Sequence, residues 1–138
     1  MYKMDESVEL VGNNWLCIKL GILLPNINNR IEVRTVTNTI RNLLDDYRDY
    51  YGMLPQYEDV FVAIIEHRNS EYGGIYDHDN KGFRAVPNAL KGRLLGDDNQ
   101  FEMSLGLFAR QSAEEYGTEI YVLPMADLSY FAENYLMV

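Results

Sequence analysis

One long amphipathic helix constrains the fold of this chain more than any other segment. From Ile31 to Tyr51, apolar side chains recur at three- and four-residue spacings, and charged side chains take most of the other positions. Gly52 predicts the end of the helix, and Pro55 blocks its continuation. Because such a helix has one apolar stripe to bury, we expect it to pack on the sheet that the neighbouring segments predict.

Apolar runs on both sides of this helix predict the strands of that sheet. The first covers residues 15–24 and the second residues 59–66. A short helix is predicted over residues 86–94, followed by a hairpin whose strands are residues 100–110 and 118–123. This order predicts an α/β (α+β) fold, a compact mixed β-sheet with flanking helices.

Length and composition are those of a single folded domain. The chain has 138 residues, of which 47% are hydrophobic and 24% are charged, close to the average of globular proteins. We predict one domain over residues 1–138. Residues 1–13 are expected to form a loose N-terminal arm, and residues 125–138 a C-terminal helix.

The chain shows no sign of export or of redox chemistry. Its first residues, MYKMDESVEL, are acidic and do not resemble a signal peptide, and no apolar run approaches the roughly eighteen residues of a spanning helix. We therefore expect a cytoplasmic protein without a membrane partner. Cys17, the single cysteine, lies in an apolar run and is expected to pack in the core.

The net charge of −9 bears directly on the choice of partner. Proteins that bind nucleic acid usually carry a basic face, because neutralised phosphates and released counterions supply most of the non-specific affinity. The charge therefore argues against nucleic acid as a partner. It does not decide the question, since a metal site needs local acids and basic residues can still cluster on one face.

Two short acidic motifs are the main candidates for chemistry. Asp77-His78-Asp79-Asn80 is followed about twenty residues later by Asp97-Asp98. Two aspartates at positions i and i+2 of an extended segment point to the same side, so Asp77 and Asp79 could chelate one cation. Carboxylate oxygens suit hard cations such as Mg²⁺ or Mn²⁺. A metal held there would activate water against a phosphodiester.

Each of these residues also has a plainer interpretation. With ten aspartates in the chain, an Asp-x-Asp pair is expected about 0.7 times by chance. Asp97-Asp98 can be a solvated turn before a strand. His78 can be a metal ligand or a base, but an exposed turn histidine explains it as well.

The order of the motifs resembles that of the RusA-type Holliday junction resolvases, small phage and prophage endonucleases. The segment from Leu24 to Arg30 resembles their Pro- and Asn-containing loop, and Asp77-His78-Asp79-Asn80 matches their metal motif. Asn88-Ala89-Leu90 stands where the family has Asp-Ala-Leu, and Asp97-Asp98-Asn99-Gln100 matches the last acidic pair. The resemblance extends from about Trp15 to Leu123.

This resemblance implies a RusA-like homodimer that nicks four-way DNA junctions with Mg²⁺ or Mn²⁺. The implied metal ligands are Asp77, Asp79 and Asp98, with Asp97 beside them. The implied DNA-contacting residues are Asn28, Asn29, Arg30 and Asn80. The catalytic lysine of the family corresponds to Arg84, or to Phe83 without an insertion, and Lys81 is a nearby substitute.

Two departures from the family pattern keep a second hypothesis open. Arg84 replaces a mobile ammonium by a planar guanidinium, and Asn88 replaces an aspartate. Together with the net charge of −9, they are compatible with a catalytically weakened, phage-encoded protein that acts as an acidic interaction module or a DNA mimic. A third alternative is a small α+β domain that binds no metal.

Overall fold

The computed structural model describes residues 2–12, 14–68, 82–95 and 103–136. Within these ranges, six strands form a single mixed sheet. The strands are β1 (Tyr2–Lys3), β2 (Ser7–Val11), β3 (Trp15–Leu20), β4 (Val60–Arg68), β5 (Met103–Gln111) and β6 (Glu115–Pro124). The helices are α1 (Arg30–Tyr51), α2 (Ala85–Leu90) and α3 (Leu128–Phe131), the last flanked by a 3-10 turn (Met125–Asp127) and a π-helical turn (Ala132–Leu136). The predicted α+β class, a mixed sheet with flanking helices, is confirmed.

Strand β4 occupies the interior of the sheet. The strand order is β2-β3-β6-β4-β5, with β1 paired in parallel to the start of β6. Strand β6 runs antiparallel to both β3 and β4, whereas β4 and β5 are parallel. Residues 60–66 of β4 are all buried, because helices cover this strand on both faces of the sheet.

The predicted hairpin between β5 and β6 is wrong. These two strands flank β4 instead of pairing with each other, and the chain between them passes the end of β4, where the Ser112 amide donates to the Arg68 carbonyl. The physical reason lies in the apolar character of β4. A strand that is apolar on both faces is buried best with a neighbour on each edge, so β4 takes the place between β5 and β6.

The predicted loose arm at the N-terminus is also wrong over residues 2–12. Strand β2 pairs with β3 from Ser7 opposite Lys19 to Val11 opposite Trp15. The side chain of Val8 packs against the main core, and that of Val11 against the cluster on the other face. An edge strand needs few apolar side chains, because its backbone hydrogen bonds to β3 supply much of its order.

Two apolar clusters lie on opposite faces of the sheet. The alternation of side chains along β4 sends Val62 and Ile64 to one face and Phe61 and Ile65 to the other. The first face packs against α1 and α2, and the second against the segment Met125–Leu136, which we call the C-terminal helical segment. No helix in the described part of the chain is both long enough and apolar enough to cross a membrane.

Helix α1 matches its prediction closely, whereas α2 is shorter than predicted. Gly52 ends α1 with a φ of 89°, and its amide donates to the Arg48 carbonyl. Helix α2 ends at Leu90, and Gly92 follows with a φ of 79°. The turn after α2 is held by Arg93, whose guanidinium binds both oxygens of Asp45 at 2.8 and 3.0 Å. This contact to α1 ties the two helices together.

Candidate functional site

The acidic residues of the predicted metal site lie outside the described residues. They are Asp77, Asp79, Asp97 and Asp98, and His78, Asn80 and Lys81 lie outside with them. Among the residues that the structure describes, no group of three or more His, Cys, Asp or Glu side chains is placed to hold a metal. The metal site therefore stays a prediction, and the structure bears on it through the residues that flank it.

Gly82, two residues after the first acidic motif, lies beside the loop of residues 25–30, which we call the Asn-containing loop. The Gly82 amide donates to the Pro25 carbonyl at 2.8 Å. A Cβ atom at Gly82 would lie 2.6 Å from Val33 Cγ2 and 3.3 Å from the Pro25 oxygen, so a side chain there requires its neighbours to move. This close approach holds Gly82, two residues after the first acidic motif, against the loop.

The described residues on either side of the second acidic pair lie near the start of β4. Met103 pairs with Val60, whereas Arg68, which precedes the first motif segment, pairs with Gln111. The Leu94 carbonyl accepts from the amide of Tyr57, just before β4. The described residues next to the two acidic pairs thus lie toward opposite ends of β4.

The loop before α1, residues 25–30, gathers the three described residues that were predicted to contact DNA. Asn26 organises it, since its side chain accepts from the Asn28 amide and its carbonyl from the Asn29 amide, both at 2.9 Å. The Asn29 side chain caps α1 by accepting from the Glu32 amide at 3.2 Å. Asn28, Asn29 and Arg30 are exposed and line one open depression at the N-terminus of α1.

A buried glutamate that sequence reasoning missed anchors this loop to the sheet. Glu66 on β4 is 4% exposed, and its Oε2 accepts from the Leu24 amide at 3.2 Å. Thr118 on β6 holds the same stretch of chain by donating to the Ile22 carbonyl at 2.7 Å. The sequence signal for this anchor was the single acid in the apolar run of β4. A buried carboxylate needs hydrogen-bond donors, so such an acid indicates a polar contact inside the fold.

Arg84 lies at the start of α2, two residues after Gly82. Its side chain is exposed and makes no capping hydrogen bond to the helix. Asn88, the other departure from the family pattern, is also exposed, and its carbonyl accepts from Arg41 of α1 at 3.2 Å. The structure thus places the guanidinium of Arg84 in solvent at the same end of α2 as the Asn-containing loop.

A second polar cluster lies on the sheet face that carries the C-terminal helical segment. His67 Nε2 and Glu119 Oε1 share a hydrogen bond, and the Tyr121 hydroxyl donates to Glu119 Oε2 at 3.1 Å. Burial raises the pKa of the nearby Cys17 thiol to about 12, so this thiol stays protonated near neutral pH. The expected core role of Cys17 is confirmed, since it is 1% exposed.

The pKa of the Glu119 carboxyl reflects two opposing effects. Burial, the largest single effect, raises it, but the hydrogen bonds from His67 and Tyr121 and the charges of His67 and Lys19 together outweigh burial, so the pKa lies below its ordinary value. Sequence analysis could not find this pair, because the two residues are far apart in the chain and only the pairing of β4 with β6 brings them together.

Comparison with known proteins adds no family assignment. No protein-family model, no curated protein and no solved structure matches this chain. The proposal of a function therefore rests on the order of the motifs and on the contacts around the Asn-containing loop.

The Asn29 side chain caps α1, and this cap predicts a measurable contribution to stability. Replacing Asn29 with Ala removes the acceptor for the Glu32 amide, so we expect the free energy of unfolding to fall by about 1 kcal/mol. Asn29→Asp keeps an acceptor and should retain most of the stability. Urea denaturation measures both variants. Equal stability of Asn29→Ala and the wild type would show that the cap is not needed.

The pair of Glu119 and His67 predicts an acid-sensitive contribution to stability. Because the folded-state pKa of Glu119 lies below the unfolded value, near 4.5, this contribution is present above that pH and is lost as the pH falls through the folded-state pKa. At neutral pH, Glu119→Gln should lower the free energy of unfolding by about 1 to 3 kcal/mol, and the difference should shrink in acid.

Chemical denaturation over a pH series measures this effect. The matched control is Glu114→Gln, because the Glu114 side chain is exposed. A difference between Glu119→Gln and the wild type that is the same at every pH would contradict the assignment.

Proposed function

We propose that this protein is a Mg²⁺-dependent endodeoxyribonuclease that nicks four-way DNA junctions as a homodimer. The observation that carries the proposal is the hydrogen bond between Gly82 and Pro25, which joins the Asn-containing loop to the chain directly after the Asp-His-Asp-Asn motif. The resemblance to the resolvases implies DNA contacts from this loop and metal ligands from this motif. The mixed sheet with flanking helices is compatible with this assignment.

The proposed metal ligands have the chemistry that Mg²⁺ requires. Asp77, Asp79 and Asp98, with Asp97 beside them, offer carboxylate oxygens, the donors that hard divalent cations prefer. When bound, the cation supplies Lewis-acid stabilisation of the scissile phosphate and lowers the pKa of a bound water. In the proposed site Asn80, next to these acids, would orient the loop that carries them, as the resemblance implies.

The described residues of the site are suited to hold the DNA backbone. Asn28, Asn29 and Arg30 are exposed in one turn at the N-terminus of α1, a helix of 22 residues. The helix dipole favours phosphate at such an end, and Arg30 adds a positive charge. Their role is to position the junction, since phosphate contacts fix register and carry no sequence information.

Two basic side chains close to the first motif offer charge to the reacting phosphate. Arg84 is exposed at the start of α2, and Lys81 directly precedes Gly82. In this role they stabilise the negative charge that develops during cleavage, the part that a lysine has in the resolvases. Because the whole chain carries a net charge of −9, we expect binding to depend on these few cations. Its salt dependence should be shallow, since the slope scales with the number of phosphates neutralised.

The first test is nicking of a synthetic four-way junction at low salt with Mg²⁺. The wild type should introduce paired nicks, and Asp79→Asn should reduce the rate by about a hundredfold or more, because an amide is a poorer ligand for a hard cation. The matched control is Asp46→Asn, an isosteric change at an exposed position of α1, which should leave the rate unchanged.

Two outcomes would contradict the nuclease proposal. One is equal nicking by the wild type and Asp79→Asn, which would trace the activity to a contaminant or to another site. The other is the absence of binding to any branched DNA at low salt.

The net charge favours one second candidate, a catalytically weakened, acidic module that engages a protein or imitates DNA. Lys and Arg number 12 against 21 Asp and Glu, so the surface carries more negative than positive charge. Asn88, which replaces an acid of the family pattern, is exposed in solvent. In this alternative the acidic motifs serve as surface charge and bind no catalytic metal.

Thermal denaturation with added metal separates the two candidates. A nuclease site that binds Mn²⁺ or Mg²⁺ only in the folded state should raise the melting temperature, since a ligand at about 100 times its Kd stabilises by about 2.7 kcal/mol. Asp79→Asn should lose most of this shift, and Asp46→Asn should keep it. The absence of a shift at millimolar metal would favour the acidic module.

A further inference from the structure

An aromatic pocket lies on the sheet face opposite α1 and does not share residues with the proposed nuclease site. It has a volume of about 300 Å³ and is lined by Gly12, Trp15, Asp127, Tyr130 and Tyr135. One wall comes from the β2–β3 hairpin and the other from the C-terminal helical segment. This volume lies at the lower end of the range for small-molecule sites, which fits a compact ligand.

Three aromatic rings line the pocket, and Trp15 meets each of the two tyrosines edge to face. The ring centroids of Trp15 and Tyr130 are 5.9 Å apart with an interplanar angle of 67°, and those of Trp15 and Tyr135 are 5.4 Å apart at 62°. Trp15 is 7% exposed, whereas Tyr130 is 62% exposed. The indole therefore forms the inner wall, and Tyr130 stands at the rim.

A carboxylate is directed at the indole from the same side. Trp15 Nε1 donates to Asp127 Oδ2 at 2.9 Å. Asp127 occupies the N-cap position of α3, where an aspartate normally accepts from a helix amide, yet its side chain makes no such bond. Its negative charge is thus held at the pocket wall and not at the helix end.

A π-helical turn helps to form the pocket. In an α-helix, residues five apart are separated by about 140° around the axis, so Tyr130 and Tyr135 would face different ways. The turn from Ala132 to Leu136 is π-helical, with hydrogen bonds from residue i to i+5. Both tyrosines contact Trp15 as a result. The Arg110 guanidinium holds this turn through the Tyr135 carbonyl.

We propose that the aromatic pocket binds a small organic cation of the quaternary alkylammonium class. Aromatic faces carry partial negative charge and attract cations, and several rings around one position recognise quaternary ammonium groups in particular. Asp127 adds a full negative charge, which favours a cation over a neutral ligand and repels an anion. Trimethylammonium groups occur both on free headgroups such as choline and on methylated lysine side chains, and the pocket chemistry suits either source.

Packing alone does not account for this arrangement. A tyrosine that is 62% exposed buries little apolar surface, so Tyr130 contributes little to the core. Phe131, its neighbour, is fully buried and fills the adjacent cluster with Trp15 and Phe61. The side chain of Tyr130 can therefore contact a ligand, and the stability of the C-terminal helical segment does not depend on it.

Trp15 makes the pocket directly observable, because it is the single tryptophan of the chain. The full-length protein is titrated with tetramethylammonium chloride, and tryptophan emission is compared with a titration of sodium chloride at equal ionic strength. We expect a saturable change with tetramethylammonium only, with a Kd on the order of 1 mM. Choline and N-acetyl-trimethyllysine then serve as further probes. The one that binds more tightly identifies the source of the cation.

Three variants test the cation–π assignment. Tyr130→Ala should weaken binding by about fivefold to tenfold, and Tyr130→Phe should keep it, because the ring is retained. Asp127→Asn keeps an acceptor for Trp15 and removes the charge, so it should weaken binding a few fold. The control is Tyr50→Ala, a tyrosine of α1 that is 82% exposed, which should bind like the wild type.

Three results would overturn the proposal. The first is the absence of a saturable change at tens of millimolar tetramethylammonium. The second is equal binding of the neutral carbon isostere of choline, which would make the pocket merely apolar. The third is unchanged binding by a folded Tyr130→Ala variant. None of these readouts depends on nuclease activity, so the two proposals stand or fall separately.

Discussion

The burial of β4 on both faces and along both edges is the constraint on which the rest of the structure depends. Its alternating side chains supply apolar surface to the α1 side and to the C-terminal side of the sheet at once. Because each face needs a cover, α1 and α2 pack on one and the segment Met125–Leu136 on the other. Because each edge needs a partner, β5 and β6 separate and flank it. The aromatic pocket and the Asn-containing loop both occupy positions that this arrangement creates.

The end of β4 is where the fold and the proposed chemistry meet. Glu66 is buried there and holds the amide of Leu24, while Gly82 closes against Pro25 from the other side. The loop is thus supported by rigid elements on two sides, which is what a binding turn requires to keep its side chains in place. His67, the next residue of the strand, points to the opposite face and pairs with Glu119. Successive residues of one strand therefore serve two separate polar sites.

Sequence reasoning succeeded where a local pattern is enough. The spacing of apolar residues in α1, its end at Gly52 and the buried character of β4 all follow from periodicity and backbone geometry. It failed to predict which strands pair with each other. Nothing local distinguishes a β5–β6 hairpin from two strands that flank β4, and the polar composition of residues 1–13 hid an edge strand. At the candidate site, the sequence predicted Asn28, Asn29 and Arg30 as one turn. It did not predict that Glu66 anchors this turn, because the partner of Glu66 is remote in the chain.

The sequence by itself determined the types of the elements from β3 onward, the α+β class and the order of the acidic motifs, because these depend on residues close together in the chain. The tertiary structure alone decided which side chains meet. Trp15, Asp127, Tyr130 and Tyr135 become one pocket only when the C-terminal helical segment packs on the sheet and widens into a π-helical turn. His67 and Glu119 become a pair only through the register of β4 on β6. The physical reason is that the burial of the whole core determines which strands pair and which helices cover each face of the sheet. No single segment encodes this outcome.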